Sequence, residues 1–137
     1  MNKNHISFLN SVIATTAHTA TIYGAPLIGL KQVDIGGMIS KKIFRTENHA
    51  PGLIIHYLLG TVIFPWSYNL VAKNFLPKNK TTSSLTWGLM LWSFGHTVVV
   101  PVLADRDYFK KKPSRAAAYF LAHVAYGICC SGKNKRS

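Results

Sequence analysis

The chain has 137 residues, enough for one domain, and is 48% apolar with only 15% charged residues, a balance unlike that of ordinary soluble domains. Sixteen Lys and Arg against four Asp and Glu give a net charge of +12, which in a soluble protein would point to nucleic acid. The charges leave four windows untouched, Ile6 to Leu30, Ala50 to Ala72, Thr81 to Ala104 and Ala116 to Gly132, so they belong to loops and tails and nucleic acid is not the expected partner.

Each window is within or near the roughly 17–25 residues of helix that cross a hydrocarbon core of about 30 Å. The expected fold is therefore all-α, a single polytopic membrane domain over residues 1–137 with four transmembrane helices at about 6–30, 51–72, 84–104 and 114–131. A soluble four-helix bundle would repeat Lys or Glu every three or four residues along each helix. A chain of this length also cannot bury four helices that are apolar all round.

The first window follows Lys3 and is longer than the apolar region of about 7–15 residues in a signal peptide, so it reads as an uncleaved first span. The loop after it contains VDIGGMISKKIF, which predicts a brief interfacial helix with Val33, Met38, Ile39, Ile43 and Phe44 toward lipid and Lys41, Lys42 and Arg45 toward water. Gly36-Gly37 keeps it short. The second span carries LIIHYLLG around His56. In the middle loop, KNFLPKNKTTSS, Pro77 ends one helix and Ser83 or Ser84 caps the next. The third span carries SFGHTVVVP around His96. Pro113 in DRDYFKKKPSRA suits a helix start, where its missing N–H is not needed.

The last span holds FLAHVAYG around His123 and ends in Cys129-Cys130. Adjacent cysteines make a strained disulfide and no metal-binding CxxC. They read as small apolar filler, with acylation at the membrane edge as the alternative. Trp66 and Trp92 lie deeper than interfacial anchors. Lys and Arg divide almost evenly between the two sides, so they set no orientation.

The spans also suggest a two-fold parallel repeat of a two-helix unit. His18-Thr19 and His96-Thr97 are each followed by a proline, Pro26 and Pro101, and then by Asp34 and Asp105. His56 and His123 are each followed four residues later by glycine, Gly60 and Gly127.

At a rise of about 1.5 Å per residue, His56, His96, His123 and His18 fall at depths of roughly 8 to 18 Å from the side of the first and third loops. Ionisable groups inside a membrane cost free energy and face the protein interior, which makes all four candidate site residues. One role is hydrogen bonding across helices to Thr15, Thr16, Thr19, Thr97, Tyr57 or Tyr126, with Gly60, Gly88, Gly95 and Gly127 as helix-packing positions. The other is ligation of a b-type haem, His96 pairing with His123 or His56, with the glycines making room for the porphyrin. A metal is less favoured, since no span contains Asp or Glu to offset its charge. No catalytic constellation is present: Asp34, Glu47, Asp105 and Asp107 are all in loops.

Three stretches, GLIIHYLLGTVIFPWSYNL, LTWGLMLWSFGHTVVVPVL and FLAHVAYG, resemble the small bacterial four-helix inner-membrane proteins of uncharacterised function that include the YagU-like proteins. His56, Gly60, His123, Tyr126 and Gly127 match that pattern, while His18 and His96 depart from it. The resemblance implies a four-helix fold and a bacterial inner-membrane location, and it brings no established chemistry.

The expected role is non-enzymatic: an accessory, assembly or scaffold subunit of a membrane complex, with no cofactor. The alternatives are a haem b electron-transfer subunit and a small proton or solute transporter acting as an oligomer. The expected partners are anionic lipid headgroups and a second membrane protein or another copy of the chain.

Overall fold

A computed structural model describes residues 5–70 and 72–132; the basic tail residues Lys3, Lys133, Lys135 and Arg136 lie outside the described residues. Among the described residues the chain is helical, with no strand. Helix α1 spans Phe8–Gly24. The Ser7 hydroxyl caps it, accepting from the Asn10 amide at 3.2 Å. Pro26 tightens its end into a 3₁₀ turn, Ala25–Ile28, closed by Gly29 at a left-handed φ of 80°.

Helix α2, Ile35–Ile39, is capped by Asp34 and continues as a π turn, Ser40–Phe44. The loop helix exists as expected, but its orientation differs. Val33 and Ile39 are buried inside the protein, and Ile43 and Phe44 are exposed beside Lys41 and Lys42. Packing against α3 wins over the outward apolar face because the paired glycines let the backbones come together: Ser40 Oγ accepts from the Gly52 amide at 2.8 Å.

Helices α3, Ala50–Leu70, and α4, Lys80–Leu103, are the two that are long and apolar enough to cross a membrane. Each contains a π turn, Leu59–Ile63 and Gly95–Val99, two residues ahead of a proline, Pro65 and Pro101. A helical proline has no N–H, and its ring clashes with the carbonyl four residues earlier. A wider turn at Thr61 and Thr97 absorbs the clash. Helix α4 is capped by Asn79, whose side chain accepts from the Thr82 amide at 3.1 Å, and not by Ser83 or Ser84. Those serines are fully buried in the helix, and Ser84 bonds back to Lys80 O at 2.9 Å.

The short α5, Tyr108–Lys111, puts Phe109 into the core, and α6, Pro113–Ser131, starts at its proline as expected. An Asp105–Lys111 bridge of 2.9 Å fastens α5 on the outside. The Lys111 ammonium, and then the Asp107 amide, hold the Asp105 carboxyl below the usual carboxylate range. The fastening is thus complete near neutral pH and weakens as acid protonates Asp105.

Helices α1 and α6 lie side by side at the centre; α3 flanks α1, and α4 flanks α6. The second and third long helices meet each other at their connecting end, where Tyr68 Oη and Ser83 Oγ are 2.6 Å apart and buried. The expected parallel repeat would carry the α1–α3 contact onto α4–α6 and the α1–α6 contact onto α3–α4; the last pair meets at one end, through Tyr68 and Ser83. The central pair holds the buried Ser11, Thr15 and His18 of α1 and His123 of α6, and α3 and α4 stand on its two sides. Few residues of α3 and α4 are buried, and Ile54, Trp66 and Phe94 are exposed. Inside are two apolar clusters, one around Ile22, Val33, Val100 and Tyr119 and one around Ala14, Tyr68, Leu91 and Tyr126.

Helix α4 crosses α6 at Gly88 and Gly127. A Cβ on Gly88 would stand 2.6 Å from His123 O and 3.0 Å from Gly127 Cα, backbone that cannot give way. Gly88→Ala is expected to destabilise the fold by about 1–3 kcal/mol through overpacking. Gly24→Ala, with nothing within 4 Å of the new methyl, should stay within about 1 kcal/mol of the parent. Thermal unfolding in mild detergent reads both.

Candidate functional site

The candidate site is the polar layer between the two clusters. Helix α1 presents Thr15, His18, Thr19 and Ile22 at three- and four-residue spacing, so these side chains share a face. His18 is 6% exposed and His123, opposite it on α6, 7%. Their rings meet edge to face at 4.5 Å between centroids. His56 of α3 comes up on the other side, its ring 5.1 Å from that of His18. Tyr119, one turn before His123, closes the group, its ring 4.5 Å from His123 and 6.3 Å from His18.

Hydrogen bonds fix the tautomers. The Thr19 hydroxyl donates to Thr15 O at 2.7 Å, so the same oxygen accepts at 3.0 Å from His56, whose Nε2 must carry the proton. His123 Nδ1 lies 2.8 Å from Tyr119 O, a carbonyl that only accepts, so Nδ1 donates. The Tyr126 hydroxyl donates to Gly60 O at 2.7 Å across to α3. His18 Nδ1 is buried with no partner among the described residues.

A cavity of about 210 Å³ opens on this layer, lined by the three imidazoles, Thr15, Tyr119 and Tyr126 and otherwise mainly by aliphatic and phenyl side chains of α2, α3 and α4. His96 is elsewhere. Its ring stacks on Phe109 at 4.4 Å with 2° between planes, and Trp92 lies 5.5 Å away. Gly95 faces inward instead, against the Tyr119 hydroxyl.

The expected pairing of His96 with His123 or His56 is therefore replaced by a trio of His18, His56 and His123. The four glycines sit where neighbouring groups approach closely. Gly60 is filled by Thr15, Gly95 by Tyr119, and Gly88 and Gly127 by each other's helices. None leaves a slot for a porphyrin, and the cavity falls below the roughly 300–1,000 Å³ of cofactor and drug-sized sites. Among the described residues, no group of three or more His, Cys, Asp or Glu is arranged to hold a metal.

Sequence reasoning missed Tyr119 and Phe109, which hold His123 and His96. It also missed a signal that was available: Thr-Val-x-x-Pro occurs at Thr61–Pro65 and again at Thr97–Pro101, marking the two helices that wall the cavity.

A family model matches residues 1–133; its description is a family of unknown function, DUF6789. No curated protein and no solved structure matches the chain.

Tyr126→Phe removes a buried bond and leaves Gly60 O without its partner, which should cost about 1–3 kcal/mol. Tyr57→Phe, which loses a surface bond of 3.2 Å to Thr16, should stay within about 0.5 kcal/mol. His56→Leu and His123→Leu should each lower the melting temperature in detergent more than Leu59→Ile does.

Proposed function

We propose that this chain, which belongs to the DUF6789 family of unknown function, is a non-enzymatic integral membrane protein with four spans. It acts as an accessory or assembly subunit in a membrane such as a bacterial inner membrane. One observation carries the reading: polarity is distributed inside out. Ser11, Thr15, His18, Ser83, Ser84 and His123 are buried, while Phe8, Leu27, Ile54, Trp66, Phe94 and Val102 are exposed. In water that arrangement would leave a continuous sticky surface. In lipid it is the expected one, because small polar side chains bond helix to helix and apolar ones face the hydrocarbon.

The spans are α1 with its 3₁₀ turn, α3, α4 and α6. Helix α6, with 19 residues, rises about 28 Å at about 1.5 Å per residue, close to a hydrocarbon core of about 30 Å. The loops holding α2 and α5 carry Lys31, Lys41, Lys42, Arg45, Arg106 and Lys110 to one end, where each basic residue near anionic headgroups adds about 1 kcal/mol of attraction.

The non-enzymatic reading rests on the carboxylates. Each is tied to a partner outside the cavity lining: Asp34 to Tyr23 at 2.8 Å, Glu47 to Lys41 at 3.1 Å, Asp105 to Lys111 at 2.9 Å and Asp107 to Lys110 at 3.6 Å. The cavity lining holds neither a carboxylate nor a thiol, and its Thr15 and Tyr126 hydroxyls are spent on backbone carbonyls.

The test is topology. With single cysteines introduced into a chain lacking Cys129 and Cys130, Glu47→Cys and Asp107→Cys should be labelled by an impermeant reagent from one face of sealed vesicles. Thr82→Cys should be labelled only from the other. Labelling of all three from the same face would overturn the four-span reading.

A further inference from the structure

The cavity is a cleft with a built polar floor. Its back is the α1–α6 pair, and its side walls are α3 and α4, joined at Tyr68 and Ser83. Ile35, Ile39 and Ile43 of the α2 region close the other end. The rim residues Phe94 and Ile43 are 52% and 57% exposed, so the cleft opens sideways between α3 and α4, onto the apolar outer surface.

The hydrogen-bond account on the floor does not close. The hydroxyls of Tyr126 and Thr15 are spent on Gly60 O and Ser11 O. His123 spends its Nδ1 proton on Tyr119 O, so the neutral ring keeps a lone pair at Nε2. His56 spends its Nε2 proton on Thr19 and keeps a lone pair at Nδ1. Among the described residues no donor meets either lone pair, and His18, 6% exposed, has its Nδ1 unpartnered. The Tyr119 hydroxyl and the one N–H of neutral His18 are the unpartnered donors of the lining. With them counted, the lone pairs of His56, His123 and His18 still leave acceptors in excess, so a ligand that satisfies the floor must bring a donor, and a hydroxyl, which also accepts, meets both. The lining holds no Lys, Arg, Asp or Glu, so the ligand must be neutral. A volume of about 210 Å³ admits one substituted ring, and the side opening leaves a tail free to lie outside.

We infer that the cleft between α3 and α4 binds a neutral hydroxylated-ring lipid, a phenol or quinol by class. Its ring hydroxyl donates to His56 or His123, and its tail leaves between the two helices. The inference rests on the membrane reading in one respect, that the bilayer supplies the ligand through the lateral opening.

The probes are 4-nonylphenol and its methyl ether, 4-nonylanisole, which share ring and tail and differ in the donor. Both are titrated against the full chain in mild detergent, with saturable stabilisation against heat as the readout. The phenol should bind about fivefold more tightly than the ether, the worth of one neutral hydrogen bond. His123→Leu or His56→Leu should bring that ratio close to one. Leu59→Trp, which fills the lining and leaves every imidazole in place, should weaken both probes together.

Equal affinity of the two probes for the unmodified chain, or no saturable binding of either, overturns the site. So does a Leu59→Trp protein that binds as before. If a histidine variant does not fold, the phenol-to-ether ratio of the unmodified chain and the Leu59→Trp result still decide. Carbonate washing of the same membranes separates the two readings. A chain that stays in the pellet and shows no phenol preference loses the site alone, and a chain released by carbonate loses the four spans while its probe ratio still judges the cleft.

Discussion

The close pairing of α1 with α6 is the contact on which the other helices depend. Small side chains make it possible: Ala14, Ala118 and Ala122 are all fully buried, and between them the His18 and His123 rings meet at 4.5 Å. Dispersion and hydrogen bonding between helices scale with how near the backbones come. The two helices that bury His18 and His123 hold each other at the centre, and α3 and α4 stand on the flanks. Everything lateral follows, including the place of α3 against Thr15 and Thr19 and of α4 against the Gly127 face of α6.

Because the flanking helices attach to different members of the central pair, a gap between them is unavoidable wherever they are not tied. Tyr68 and Ser83 tie one end. Along the rest, the π turns at Leu59–Ile63 and Gly95–Val99 alter which side chains face the gap. In α4 the wider turn sends Gly95 inward to Tyr119 and leaves His96 to stack on Phe109. A residue that by depth belongs with the other histidines is thereby taken out of the group.

The loop elements serve the same cleft. Tyr23 and Asp34 anchor the start of α2, with the Tyr23 hydroxyl donating to Asp34 at 2.8 Å and accepting from the Gly36 amide at 3.0 Å. That anchoring sets Ile35 and Ile39 across one end of the cavity. On the other side α5 inserts Phe109 between His96 and Tyr119, at 4.4 and 5.4 Å between ring centroids. Segments that look like charged connectors in sequence therefore supply part of the interior.

The all-helical class and the positions of the long helices were legible in the sequence, because charge-free windows are a local signal, while the short α5 was not. Pro113 as a helix start was legible for the same reason. The neighbour relations were not. Whether α1 stands beside α6 or apart from it depends on summed packing of surfaces far apart in the chain, which no window of residues contains. His96 shows the limit most plainly. Its depth follows from counting residues, but its direction depends on a turn widened by a proline five positions later and on an aromatic ring brought in by a different loop, and only the tertiary structure brings those together.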